Sequence, residues 1–217
     1  MSNQPRKGLL LLSGGFDSPV AGKLMQRQGL AVDAIHFSLE PVTDGVAEQK
    51  CLDLARVLAL QKVYVAKVGE ELARIAARCT RRYYFVLSKR FMLRVAEMIA
   101  RRDGYDFLVT GENLGQVSSQ TLQNLTVIDN AAGMTVLRPL LGFDKIDIIN
   151  VAKELGTYDI SKGPEICDAL GPDSPATAAS VPDILEEEAK IDLGELAKTA
   201  VAKMSLHAVA ETTEAAR

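Results

Sequence analysis

The residues best suited to chemistry come early, in Ser13-Gly14-Gly15-Phe16-Asp17-Ser18. Glycine lacks a Cβ and reaches positive φ without strain, so a Ser-Gly-Gly turn can aim backbone N–H groups at an anion. Four leucines at 9–12 precede the turn. They read as a short strand buried on both faces, as in parallel sheets. Apolar positions between Val20 and Leu30 follow it and read as a helix. A helix N-terminus adds partial positive charge at the same place. Strand, glycine turn and helix start together make a phosphate cradle. It matches neither GxxxxGK(S/T) nor GxGxxG. The simpler alternative is a glycine turn ahead of an N-cap Asp or Ser.

Other reactive side chains are few. Cys51, Cys79 and Cys167 lie far apart and no CxxC occurs, which argues against a zinc knuckle or a local redox pair. An odd, sparse set fits a reducing compartment. His36 and His207 are the only histidines, which argues against a His-based metal site. Cys51 falls on an amphipathic stretch and reads as a small core residue. Cys79 lies between two basic stretches and reads either as an exposed thiol of lowered pKa or as structural. Cys167 sits in a segment bounded by Pro and Gly, where buried packing is less expected.

Positioning these groups takes a sheet. Residues 31–37, 63–68, 107–110 and 135–137 read as further strands after 9–12. Helices are expected over 48–60, 70–78, 85–101, 114–125 and 145–155. In the helix over 85–101, Phe91, Val95, Met98 and Ile99 are placed on the inner face. Asp144 reads as the N-cap of the last of these helices and Gly156 as its terminator. The alternation predicts an α/β fold with about five parallel strands, helices on both faces and right-handed crossovers. Ligands of such open sheets lie beyond the carboxyl ends of the strands, which brings residues 13–18, 36–38 and 111–113 to one edge. One domain is expected over 1–180. Residues 181–217 read as an acidic helical tail, with two helical pieces and a fraying end from Leu206.

The 217 residues suffice for one sizeable core, and 47% of them are hydrophobic. No apolar run approaches the ~20 residues of a membrane span, and no secretory h-region follows the polar start, so a cytoplasmic protein with no membrane partner is expected. The formal net charge is −3. It is unevenly spread. Residues 74–102 hold nine bases, Arg74, Arg78, Arg81, Arg82, Lys89, Arg90, Arg94, Arg101 and Arg102, against Glu97 alone. Such a run either contacts a phosphate backbone or is a solvated helical face.

Longer segments resemble the catalytic domain of the tRNA 4-thiouridine synthetase family, ThiI. They are SGGFDSPVA at 13–21, Lys89-Arg90-Phe91-Met92, GENLGQVSSQTLQNL at 111–125, RPLLGFDKIDII at 138–149 and GPEICDALGPDSPAT at 163–177. They come in the family's order and cover most of 8–180. The first contains SGGxDS, the PP-loop of ATP pyrophosphatases. The resemblance implies a Rossmann-like adenine-nucleotide alpha-hydrolase fold. It also implies that ATP adenylates O4 of a tRNA uridine at position 8, releasing pyrophosphate, and that a cysteine persulfide then supplies sulfur as AMP departs.

Residue by residue, the resemblance makes Leu11 and Leu12 backbone contacts to the nucleotide. Ser13, Gly14, Gly15, Asp17 and Ser18 become the pyrophosphate loop, with Asp17 acting through Mg²⁺. His36 and Phe37 become adenine or ribose contacts, and Lys89, Gly111 and Gln120 further nucleotide contacts beside Glu112. Cys167 becomes the catalytic cysteine. Relatives carry a THUMP domain that grips tRNA, and some carry a rhodanese domain. Neither pattern is seen here, so a stand-alone form is expected. Binding of tRNA would then fall to Arg81, Arg82 and Arg94, to a separate THUMP-type chain or dimer mate, or to both. A cysteine desulfurase or similar donor is the expected sulfur source. Resolving a Cys167 persulfide would take Cys79, Cys51 or an outside thiol. The family's link to the thiamine thiazole keeps a sulfur-carrier protein or small molecule open as another acceptor.

Overall fold

The computed structural model describes residues 5–115, 120–163 and 170–209. The chain runs β1 (Lys7–Leu11), α1 (Asp17–Arg27), β2 (Ala31–Ser38), α2 (Val46–Val57), β3 (Lys62–Lys67) and α3 (Gly69–Arg78). A 3₁₀ turn at Arg81–Tyr83 leads into α4 (Tyr84–Asp103) and β4 (Phe107–Val109). Then come α5 (Leu122–Asp129), β5 (Val136–Leu137), α6 (Lys145–Glu154), α7 (Tyr158–Ser161), α8 (Val181–Glu188), α9 (Leu193–Ala202) and β6 (Ser205–Ala208).

The strand order is β5-β4-β1-β2-β3-β6. β1 to β5 are parallel, and β1 lies at the centre between β2 and β4. Successive strands step outward from β1 through β2 to β3, then cross to β4 and β5 on the other side. The gap between β1 and β4 is therefore the topological switch point, where open α/β sheets bind ligands. The turn after β1 and the segment after β4 flank it.

The leucine run supplies both faces of the central strand. Leu9 joins one buried cluster with Leu72, Phe91, Leu87 and Leu196 from α3, α4 and α9. Leu10 joins the opposite cluster with Val20, Cys51, Leu54 and Ile148 from α1, α2 and α6. Near-continuous hydrophobicity is what a strand covered on both sides requires.

Several details differ from expectation. On α4 the buried stripe is Phe91, Val95 and Ile99, at i, i+4, i+8, whereas Met98 is 36% exposed. The helix placed at 114–125 begins, among the described residues, at Leu122, capped by the Thr121 hydroxyl accepting from the Asn124 N–H. Residues 205–208 do not fray. They form β6, antiparallel to β3, with Val63 opposite His207 and Tyr64 opposite Leu206. Low apolar content misleads here, because the edge of β3 supplies main-chain partners that act on any short segment brought alongside. Ile184, Leu193, Leu196 and Ala197 of α8 and α9 share one buried cluster with α4.

Candidate active site

The turn after β1 is tied to itself. The Ser13 N–H donates to Ser18 Oγ at 2.9 Å, and Ser18 Oγ donates back to the Ser13 carbonyl at 3.1 Å. The Gly15 N–H donates to Ser13 Oγ at 3.3 Å. The two serines thus hold the loop closed. At the N-cap of α1, Phe16, no side chain caps the helix. The first-turn amides are left to an outside acceptor, which suits an anion. From the far side Phe16 stacks on Tyr158 of α7 at 5.3 Å between centroids, and Ser161 Oγ donates to the Gly15 carbonyl at 3.2 Å.

Gly111 follows β4. A Cβ there would lie 2.6 Å from the Ser18 amide nitrogen and 2.8 Å from the Asp17 carbonyl carbon. This is backbone against backbone, so only glycine lets the two segments meet at the switch point. Gln120 belongs to the same wall: its Oε1 accepts from the Asn113 N–H at 3.1 Å and its carbonyl from the Gly115 N–H at 3.2 Å. Asn113 in turn donates to the carbonyls of Leu140 and Phe143.

His36 stands at the end of β2, 4% exposed, with half-buried Phe37 beside it. Its Nδ1 lies 3.1 Å from the Leu12 carbonyl. A carbonyl only accepts, so Nδ1 carries the proton and Nε2 is left as an acceptor. Nε2 is buried and has no partner among the described residues. Burial lowers the His36 pKa below 6.5, more than the Leu12 hydrogen bond raises it, which keeps the ring neutral. An orphaned acceptor here fits a donor on a nucleoside. Leu12 itself is 2% exposed, and Leu11 is half-buried on the opposite face.

Glu112 forms the charged node of the site. Its Oε1 accepts from Lys89 Nζ at 2.7 Å, and its Oε2 from Arg138 Nε at 2.8 Å and Thr110 Oγ1 at 3.2 Å. Burial alone would raise its pKa, but Lys89 and Arg138 outweigh that and hold the carboxyl below 4.5. Arg138 also grips Asp129 with both terminal nitrogens, at 2.7 and 3.1 Å. Lys89 therefore reaches the site held in place by a carboxylate.

Two lysines at the loop had no local signal. Lys145, on the first turn of α6, places Nζ 3.3 Å from Asp17 Oδ1 and 5.9 Å from the centre of the Phe16 ring. Lys50 of α2 lies across Gly14 and points Nζ at the carbonyls of Ser161 and Lys162, at 3.5 and 3.4 Å. Each is more than a hundred residues in sequence from a partner, so only the fold reveals it. RPLLGFDK, which holds Arg138 and Lys145, was the one available clue.

Cys167 lies outside the described residues. The other two cysteines are now assigned. Cys51 is fully buried, 3.1 Å from His36 Nδ1, and burial pushes its thiol up to about 12. Cys79 is 8% exposed, its pKa raised by burial and then by Glu187. Of the two readings open for Cys79, an exposed thiol of lowered pKa or a structural residue, the structure supports the second. The basic run also resolves. Arg94 donates to Glu188 at 2.6 Å, as does buried Arg90, while Arg101 pairs with Glu97 and Arg102 with Asp103. Arg81 and Arg82 are exposed.

A cluster of three or more His, Cys, Asp or Glu able to hold a metal does not occur among the described residues. No helix among them is long and apolar enough to cross a membrane.

The family model described as "Thiamine biosynthesis protein (ThiI)" matches residues 4–193. A probable tRNA sulfurtransferase of Coxiella burnetii is 42% identical over 208 residues, covering 91% of this chain and 52% of the relative. One of Halothermothrix orenii is 40% identical, covering 92% and 52%. The chain thus spans about half the length of the curated relatives it matches. A crystal structure of a 4-thiouridine synthetase–RNA complex with bound ATP superposes with a TM-score of 0.90 at 35% identity, over 94% of this chain and 55% of that one. NMN synthetase from Francisella tularensis, 17% identical with a TM-score of 0.55, covers 93% of this chain and shares the fold alone. The family match runs over residues 4–193, most of the chain, and the chain belongs to the ThiI family.

Proposed function

We propose that this chain binds ATP at the switch point and uses it to thiolate a uridine of tRNA, giving 4-thiouridine at position 8. The observation that carries the reading is the uncapped first turn of α1 facing Gly111 across the gap between β1 and β4. Backbone amides at 14–18 would hold the β and γ phosphates, with Leu11 and Leu12 beside them at the strand end. His36 Nε2, a buried acceptor, would take a hydrogen bond from the adenosine, packed by Phe37. Lys89 and Lys145 would add positive charge as pyrophosphate forms, the kind of fixed electrostatic stabilisation that lowers such a barrier. Gly111 and Gln120 shape the opposite wall.

Mg²⁺ fits only as an ion that arrives with the nucleotide. Magnesium sites of this kind use one or two carboxylates together with substrate phosphates. Asp17, its side chain 25% exposed, is placed to serve as that carboxylate once Lys145 shifts to phosphate. When bound, the ion would offset phosphate charge.

The chemistry balances in three steps. Uridine O4 attacks the α phosphorus, and the bond to the bridging oxygen breaks, so pyrophosphate leaves. The terminal sulfur of a Cys167 persulfide attacks C4, and AMP departs with O4. A thiol then attacks Cys167 Sγ, freeing the thiouridine and leaving a disulfide that a second thiol reduces. Buried Cys51 and Cys79 cannot serve, so these thiols come from outside the described chain, as does the sulfur donor.

ATP–pyrophosphate exchange tests the reading. Exchange should appear on adding tRNA, vanish in Asp17→Ala and persist in Cys167→Ala, which should make no thiouridine with a cysteine desulfurase as donor. Exchange that ignores tRNA would move the acceptor to a small molecule or carrier protein. Undiminished thiouridine in Cys167→Ala would remove the cysteine from the mechanism.

A further inference from the structure

The nine bases between residues 74 and 102 divide sharply by partner. Lys89, Arg90, Arg94, Arg101 and Arg102 each lie within 2.7 Å of a carboxylate oxygen. Arg74, Arg78, Arg81 and Arg82 are exposed, and no carboxylate pairs with any of them among the described residues. The first two are four apart on α3 and share one side of it. The last two open the 3₁₀ turn that follows directly. The four guanidiniums without a carboxylate thus fall within nine positions, on the end of α3 and the turn that follows it, and make one basic corner of the chain trace.

Each pair of arginines lines a groove of its own. One, of about 370 Å³, is lined by Arg74, Arg78 and Lys190 with Asp192, Glu195 and Thr199. Its acids are engaged: Asp192 caps the Glu195 N–H at 2.9 Å, and Glu195 takes Lys198 at 3.2 Å. The other, of about 440 Å³, is lined by Arg81, Arg82 and residues 171–174. Arg81 donates one Nη2 bond to the Gly171 carbonyl at 2.9 Å, and the Ala176 N–H donates to the Arg82 carbonyl at 2.8 Å. A guanidinium carries five donors, so anchoring one leaves a fork for a phosphate.

We infer that Arg74, Arg78, Arg81 and Arg82 form the seat for the RNA phosphodiester backbone, and that Arg94 has no part in it. The inference rests on the tRNA reading above and replaces its broader basic patch with one corner. Unpaired arginine in place of lysine suits bidentate phosphate contact. A local basic corner on a chain of net charge −3 is a placed feature, not a bulk property. It also adjoins Gly171, four residues after Cys167.

The test is a salt series of anisotropy titrations with fluorescein-labelled tRNA and the full chain. Two double variants, Arg74→Ala with Arg78→Ala and Arg81→Ala with Arg82→Ala, are compared with a control, Arg101→Ala with Arg102→Ala, which removes equal charge from the same run. Every phosphate that no longer has an arginine beside it should flatten the log K against log salt slope by about 0.7–0.9, so either double variant should lower the slope by about 1.5. Affinity near physiological salt should fall at least about tenfold, while the control stays within about twofold. Equal losses in the control and the variants would overturn the inference, because they would report bulk charge only. An unchanged slope in both double variants would overturn it too. Nucleotide binding, read in parallel as the ATP-dependent rise in unfolding temperature, separates this inference from the one it rests on. A chain that binds ATP but no tRNA sinks the corner alone; one that binds tRNA through these arginines but no ATP supports the corner and sinks the nucleotide site.

Discussion

At the scale of single residues, His36 makes the sharpest claim. Its ring is buried and neutral, its proton fixed on Nδ1 by Leu12. A histidine whose folded pKa is depressed contributes stability that is fully present above its unfolded pKa and lost as pH falls below it. Unfolding free energy should therefore drop by up to about 1.4 kcal/mol per pH unit once pH passes below 6.5, until the folded ring itself takes a proton. Urea titrations between pH 7.5 and pH 5 measure this. His36→Asn should remove that slope while carboxylate effects remain at lower pH. A wild-type slope of zero across the window would show that the ring is solvated.

The same scale shows what local reading can and cannot find. Ser13 to Ser18 were legible because adjacent residues determine the backbone of a turn. Lys145 was not, because its partner Asp17 is 128 positions away and nothing near either residue signals the pairing. The ion pair of Arg94 was hidden for the same reason. Its neighbours in sequence are basic, but the acid that neutralises it, Glu188, arrives from 94 positions later. A charge run therefore says little until the fold brings the counter-charges. Cys79, likewise, was open between an exposed and a structural role until Glu187 arrived from α8 to cover it.

At the scale of elements, strands and helices repeat strongly enough for the alternation of β1 to β5 to be readable. Leu9 and Leu10 look to opposite faces, as a doubly covered strand requires. β6 was hidden because its four residues carry little hydrophobic pattern and owe their form to the exposed edge of β3. Between elements, the closest approach that matters is Gly111 on the start of α1. Gly111→Ala should force backbone apart there. Overpacking of this sort costs about 1–3 kcal/mol. Displacing the Asp17 and Ser18 amides should also raise the ATP dissociation constant by about tenfold, worth ~1.4 kcal/mol. Calorimetric melting and ATP titration of the variant measure both. Wild-type ATP affinity in Gly111→Ala would show that the contact serves packing alone.

At the scale of the whole molecule, one switch point gathers groups from every part of the chain. The turn after β1, His36 near the end of β2, the node around Glu112 after β4, and Lys145 at the start of α6 all lie toward the carboxyl edge of the sheet. Away from the loop, the 3₁₀ turn after α3 is tied to residues 171 and 176 by Arg81 and the Arg82 carbonyl. In the proposed reaction the bare amides at the start of α1 receive the β and γ phosphates of ATP. A crystal structure with a non-hydrolysable ATP analogue tests it most directly. The terminal phosphates should lie on the N–H groups of residues 14–18 and the adenosine within hydrogen-bond reach of His36 Nε2. Nucleotide density over any other part of the sheet, with that turn bare, would contradict it.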